Sequence, residues 1–204
     1  MDWRESMTPK LTFKNIIKHW KKIRLHRKWV RHYCFLAGIP WRGITHDLSK
    51  YSPIEFFESA HYYVGTSSPI DAAKKDKGYS AAWLHHKGRN RHHWAYWSDE
   101  FSKGTIIYPM PKNDFIELIC DFLGAAHAYS EHSFSYYNEL KWWKKDRENG
   151  NKAMNPINKR MVDIILHDLA AAELDKHISP EELIKSKYIQ QVWEANSRVD
   201  ENDN

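Results

Sequence analysis

The chain has 204 residues, of which 42% are hydrophobic, enough for one domain with a real core, and carries a formal net charge of +5. Two cysteines, Cys34 and Cys120, exclude a disulfide framework and a CxxC zinc pattern and predict free thiols in a reducing cytoplasm. No run approaches about 18 apolar residues and the N-terminus lacks an apolar leader, so neither a membrane partner nor secretion is expected.

The first element is a long helix over Lys10–Leu36. Ile16, Trp20, Ile23, Val30 and Tyr33 recur at helical spacing and define its buried stripe. His26 falls in the gap between Ile23 and Val30 and is predicted to point inward with them. From Lys10 to Arg31 there are nine Lys or Arg and no acid, whereas Arg160–Asn204 holds ten acids against five basic residues. Such a run is either a solvated face or a surface for a phosphate-rich partner, nucleic acid included.

Gly38 and Pro40 end the first helix. Three later starts share one signature, with Ser at the cap, Pro next and an acid at the third position: Ser52-Pro53-Ile54-Glu55, Ser68-Pro69-Ile70-Asp71 and Ser179-Pro180-Glu181-Glu182. Gly65 and Gly88 are candidate C-caps for the first two, and Asn90 a cap for a short helix over His92–Trp97. A loop follows over Gly104–Pro111, extended at Ile106-Ile107. Further helices are predicted from Pro111 through Tyr129, over Phe134–Glu148 and over Pro156–His177, and the polar tail from Ser197 is expected to fray. The pattern is all-α: a single-domain helical bundle over 10–178, then a C-terminal helix and acidic tail over 179–204.

Chemistry concentrates in three stretches. Eight of the thirteen histidines lie between His26 and His93. THDLSKYSPIEF places His46 beside Asp47, with Lys50 three residues on. WLHHKGRNRHHWAYW carries the pairs His85-His86 and His92-His93 around a Gly-Arg-Asn turn. The helix after Pro111 puts Glu117 and Asp121 one turn apart on one face. Imidazole with carboxylate is the donor set of a divalent metal, here Mn, Fe, Zn or Mg, and two ions need about six such ligands with a bridging carboxylate. The set His26, His46, Asp47, His86, His92 and Asp121 meets that need, with His85, His93 and His61 as alternates. One ion needs only His26, His46, Asp47 and Asp121. Adjacent helical residues point about 100° apart, so one member of each pair is expected to ligate. The competing reading stacks the pairs among the tryptophans.

The order His…His-Asp…Asp in a helical chain resembles the HD-domain superfamily of metal-dependent phosphohydrolases. HDLSK resembles the HDxxK form of its HD-GYP-type phosphodiesterases, and His85-His86 resembles that branch's downstream HH. The resemblance implies a metal-bridging role for Asp47 and phosphate contact for Lys50. KGRNRHHW stands where a Gly-Tyr-Pro signature belongs, so cyclic dinucleotide specificity is not implied. A closer resemblance, over about residues 14–175, is to an uncharacterised bacterial and phage family. Its marks are HDLSK[FY]SPxEF, AWLHHxxRNxHHWxYW and MP followed by ExxxD, matched here by Thr45–Phe56, Ala82–Trp97 and Pro109–Asp121.

These residues predict a metal-dependent hydrolase acting on a nucleotide or related phosphorylated small molecule. Asp47, Lys50 and Glu117 are its candidate catalytic groups, and Lys50, Arg89, Asn90, Arg91 and Trp94 its candidate substrate contacts. Glu117 could equally orient a ligating histidine. Two rivals remain at this stage: an HD-fold di-iron oxygenase, and a nucleic-acid-binding module with a structural metal. His167-Asp168, a second HD dipeptide, lacks nearby partners and reads as a surface or packing pair.

Overall fold

The computed structural model describes residues 10–65, 67–102, 104–130, 133–148, 153–175 and 177–197. Among them are ten helices and one hairpin, an all-α domain. Helix α1 spans Phe13–Leu36. It begins three residues later than the periodicity predicts because Thr12 caps it, its side chain accepting from Asn15 N at 3.1 Å. The buried stripe is His19, Ile23, His26, Val30, Tyr33 and Cys34. Trp20, expected inside, is 40% exposed, and His19 takes its place.

Pro40 opens the short α2, Pro40–Thr45. A 3₁₀ turn over Leu48–Tyr51 leads into α3, Pro53–His61. Of the three Ser-Pro starts, only Ser179 makes the reciprocal capping box; Ser52 and Ser68 make no side-chain cap. The second Ser-Pro helix stops at Gly78 rather than Gly88. Gly78 takes φ +80°, a left-handed conformation glycine adopts without strain, and closes α4, Pro69–Lys77. Ser80 then caps a separate α5, Ala81–Lys87. Asn90 caps nothing: its side chain turns back to His86 O and Ser49 Oγ, both at 2.8 Å. Of the short helix predicted over His92–Trp97, Trp94–Trp97 forms, as a 3₁₀ turn. The predicted loop at 104–111 begins as the second strand of a hairpin, β1 Ser98–Phe101 against β2 Gly104–Ile107.

The centre of the molecule is α6, Lys112–Ser130, in which every residue from Asp114 to Gly124 is buried. Phe115, Ile116, Leu118, Ile119 and Leu123 are wholly enclosed, each worth about 1.5–3 kcal/mol by transfer from water. Helices α7 (Tyr136–Glu148), α8 (Pro156–Asp175), α9 (Pro180–Lys185) and α10 (Tyr188–Asn196) close the core with Trp143, Met161, Ile165, Leu169, Ile184 and Ile189. His167 lies on the exposed side of α8, and Asp168 accepts a short hydrogen bond from Tyr188 Oη. Cys34 and Cys120 are buried and free. No helix of the described residues is long and apolar enough to cross a membrane. Of the tail predicted from Ser197, residues 198–204 lie outside the described residues.

Two glycines set the distances on which the candidate site depends. A Cβ at Gly124 would stand 2.4 Å from Val30 Cγ2 and 2.8 Å from Val30 N, so α6 lies against α1 only because that atom is missing. A Cβ at Gly43 would meet Cys34 Cβ at 2.7 Å, and α2 is drawn onto α1 in the same way. Asp121 and His46 thereby come within reach of His26.

Candidate metal centre

Five histidines and two aspartates converge where α1, the α2–α3 connection, α5, the following turn and α6 meet. Helix α1 brings His26 and α6 brings Asp121. His46 is the C-cap residue of α2, and Asp47 follows it at φ +54°. That left-handed conformation is uncommon outside glycine and is tolerated best by Asn and Asp. Arg27 fixes this connection by donating to Ile44 O at 2.9 Å and His46 O at 2.8 Å. α5 supplies His86, and the turn beyond it supplies His92 and His93.

The donors fall into two groups that share Asp47. In the first, His26 Nε2 lies 3.3 Å from His46 Nε2, 3.3 Å from Asp47 Oδ2 and 3.1 Å from Asp121 Oδ1. His46 Nε2 lies 3.3 Å from both of those carboxylate oxygens. These are five of the six edges among the four donor atoms; a regular tetrahedron of that edge has its centre about 2.0 Å from each corner, the bond length of a zinc-sized ion to nitrogen or oxygen. In the second group Asp47 Oδ1 lies 3.3 Å from His86 Nε2 and 3.5 Å from His92 Nε2, and His93 Nε2 is 2.8 Å from His86 Nε2. Each oxygen of Asp47 thus serves one group.

The far nitrogens show which way the lone pairs point. Glu117 Oε1 accepts from His46 Nδ1 at 2.9 Å and from His92 Nδ1 at 3.2 Å. Glu55 Oε2 accepts from His86 Nδ1 at 2.7 Å, and its Oε1 accepts from His85 Nδ1 at 2.5 Å. With Nδ1 donating, the neutral ring turns its Nε2 lone pair inward, the carboxylate–histidine arrangement that orients metal ligands. Arg42 then anchors Glu117 at 2.9 Å and Asp114 at 2.7 Å.

Within the two groups four buried atoms have no hydrogen-bond partner of acceptable geometry: both carboxylate oxygens of Asp47, Nε2 of His92 and Nδ1 of His93. Lys50 Nζ comes within 2.6 Å of Asp47 Oδ2 but off the hydrogen-bonding direction. Polar atoms buried in this way are costly unless something else satisfies them. Opposed nitrogen lone pairs, as at His26–His46 and His86–His93, likewise require a proton or a cation between them. The local field favours positive charge. Burial opposes the charged form of His46, but Asp47, Asp121 and Glu117 outweigh it and hold its pKa well above the ordinary value. Burial would raise Asp47 too, yet His46, Lys50 and His86 keep it well below the carboxylate range. Glu117 is brought down to about 2, the bonds from His46 and His92 overcoming its burial. His93 goes the other way: burial, then the neighbouring His92 and His86, push its pKa well below that of a free imidazole. A divalent cation suits all of these groups at once, so the residues present fit one ion or two.

All six predicted ligands are gathered here, and His93 joins them although the helical reading allowed one member per pair. The restriction does not apply because His92 and His93 lie in a turn. His85 bonds Glu55, and His61 packs against Tyr62 outside both groups. Lys50 sits at the edge of the first group with a side chain 29% exposed. Arg89 is exposed. Arg91 pairs with Asp114 at 3.3 Å and lies over the Trp97 ring, and Trp94 packs on Phe122. Asn90 is occupied by Ser49 and His86. Among the described residues Lys50 is therefore the one lysine or arginine that the geometry brings to Asp47.

Glu55, Ser49 and Arg42 were not singled out in the sequence. Glu55 stands at the third position of a Ser-Pro helix start, and the capping signature explained it away. Its burial behind His86 is a tertiary fact. Only its place inside the run from HDLSK to SPIEF could have drawn attention to it.

Residues 15–178 match the Family of unknown function (DUF5662), and the chain belongs to that family. No curated protein and no solved structure matches it. The HD resemblance therefore rests on the order and geometry of the ligands alone.

Proposed function

We propose that this protein is a metal-dependent phosphohydrolase whose substrate is a nucleotide or a related phosphorylated small molecule. The observation that carries the reading is Asp47: buried, with Lys50 against its Oδ2, no hydrogen bond to its Oδ1, and each oxygen turned to a different imidazole-rich donor group. His26, His46, Asp47 and Asp121 would hold one ion, and Asp47, His86, His92 and His93 a second. Bound there, such ions supply an acidified water and polarise a phosphoryl oxygen.

The remaining steps belong to the chain itself. Glu117 and Glu55 fix the tautomers of His46, His92 and His86, so that the donor atoms need no reorganisation when substrate arrives. Lys50, beside Asp47 and partly open to solvent, receives the negative charge that grows on the phosphoryl oxygens. From the residue after Asp121 onward, Phe122, Ala125 and Tyr129 of α6 line a cleft of about 620 Å³. Ser67, Ser68 and Asp71 face them across it, and Trp142 lies at its side. Hydroxyls, a carboxylate and rings suit the uncharged sugar and base of a nucleoside better than a second phosphate. Phe122, which lines this cleft, directly follows Asp121 in α6, so the cleft begins beside the donor groups.

The test is hydrolysis of nucleoside monophosphates and a generic aryl phosphate in Mn²⁺, with and without EDTA. Turnover in Mn²⁺ is expected to be abolished by chelation, and Lys50→Ala to keep the metal while losing roughly 10²–10³ in kcat, the usual cost of removing one charge-stabilising donor. Bound iron with oxygen-dependent turnover and no phosphate release would overturn hydrolysis in favour of a di-iron oxygenase.

A further inference from the structure

We infer that the outer face of α1 is a docking surface for a single-stranded nucleic acid. Eight of the helix's residues are basic and none is acidic: Lys14, Lys18, Lys21, Lys22, Arg24, Arg27, Lys28 and Arg31. Among the described residues none of the eight pairs with a carboxylate. Elsewhere Arg42, Lys50, Lys77, Arg91 and Lys112 each lie against one. A helix that carries this charge with no internal compensation leaves a positive field for a polyanion to neutralise.

The charge is also shaped. Trp20, Arg24, Arg27 and Arg31 form one stripe about 16 Å long, turned roughly 130° around the helix from His26. Lys21 and Lys28 flank it. The stripe lines a groove of about 670 Å³ whose other wall includes Gly43 and Tyr51, and no acid lines it. Arg24 lies 4.6 Å from the Trp20 ring and Arg27 5.4 Å from the Tyr51 ring. Guanidinium groups set beside partly exposed aromatic rings, Trp20 at 40% and Tyr51 at 37%, are what a single strand uses, its phosphates on the cations and its unpaired bases on the rings. A duplex hides its base faces from such rings. Because Arg27 also holds Ile44 O and His46 O, the groove is built onto the outside of the connection that carries His46 and Asp47.

The experiment is fluorescence anisotropy of a labelled 20-residue oligothymidylate with the full chain in EDTA, between 50 and 200 mM salt. Binding is expected to be saturable, with log affinity falling against log salt at a slope of about −3, the release from four or five phosphates. Lys21→Glu with Arg24→Glu and Lys28→Glu should weaken it at least tenfold and flatten the slope by about 2. Trp20→Ala should cost at least about fivefold. Lys75→Glu with Lys144→Glu and Lys145→Glu changes net charge equally on other exposed helix faces and should leave affinity within twofold. Circular dichroism verifies that each variant is folded. No binding at 50 mM salt, equal loss in both triple variants, or capture by phosphatidylserine vesicles without oligonucleotide binding overturns the assignment. Duplex binding as tight as single-strand binding, unaffected by Trp20→Ala, overturns the single-strand preference. The assay runs without metal, so its failure leaves the hydrolytic reading standing. Retention of binding by His46→Ala separates the two surfaces in the other direction.

Discussion

His19 and His26 lie seven residues apart on one buried face of α1, yet they are different chemical objects. His19 packs against the rings of Phe56 and Tyr63 at 5.3 and 5.7 Å, and its Nδ1 has no partner. Burial, helped by the charge of Lys50, brings its pKa down to about 4. His26 faces Asp47 and Asp121 at 3.3 and 3.1 Å. Helix periodicity places both rings inside; only the carboxylates delivered by other elements make one of them a candidate ligand. A histidine count by itself is therefore a poor guide to a metal site, and the acids around each ring decide.

The largest effect that could break this comparison is at Asp47. Asp47→Ala removes the carboxylate shared by both groups, so metal binding is expected to vanish. In the wild type, chelation should lower Tm by about 10 °C, since an ion at a thousand times its Kd contributes about 4 kcal/mol and each kcal/mol is worth some 2–4 °C in a chain of this size. Differential scanning calorimetry with and without EDTA checks it, and the variant should show no chelator dependence. His26→Ala should lose one ion, while His19→Phe keeps the full complement.

Glu117→Gln sharpens the point by keeping shape and removing charge. Metal affinity, read by competition with a chromophoric chelator, is expected to fall 10–100-fold. Gly124→Ala tests the approach of the helices rather than the ligands. Its Cβ meets the backbone of Val30 as well as the side chain, so overpacking should cost about 1–3 kcal/mol in urea unfolding and weaken metal binding by separating His26 from Asp121. The smallest effect concerns His19. Its folded pKa lies below its unfolded value of about 6.5, so the unfolded chain binds the extra proton. Stability is complete above pH 6.5 and declines as pH falls toward 4, by about 3 kcal/mol at the low end. His19→Phe should reduce the difference in unfolding free energy between pH 7 and pH 5.

The helical class, the placement of His26 and the convergence of His46, Asp47 and Asp121 were legible because they rest on local periodicity and on ligand order. The break at Gly78 was not, because the pattern of 69–88 reads as one helix until a positive φ interrupts it. Trp20 misled for a related reason: an indole at stripe spacing was given to the core, whereas the helix turns a lysine- and arginine-rich flank outward at that angle. His93 was undervalued because helical geometry was assumed where the chain makes a turn. Glu55 and Arg42 act only across the fold, and no spacing in the sequence announces that α3 closes on α5 or that Arg42 reaches α6.

The most direct measurement is metal content per chain, by mass spectrometry, of the full-length protein loaded with Mn²⁺ or Zn²⁺ and desalted, alongside Asp47→Ala. Close to two equivalents in the wild type and none in the variant is the expected result. The same content in both, or none in either, would mean that the seven donors meet around no cation and that the centre described here is a packed polar core.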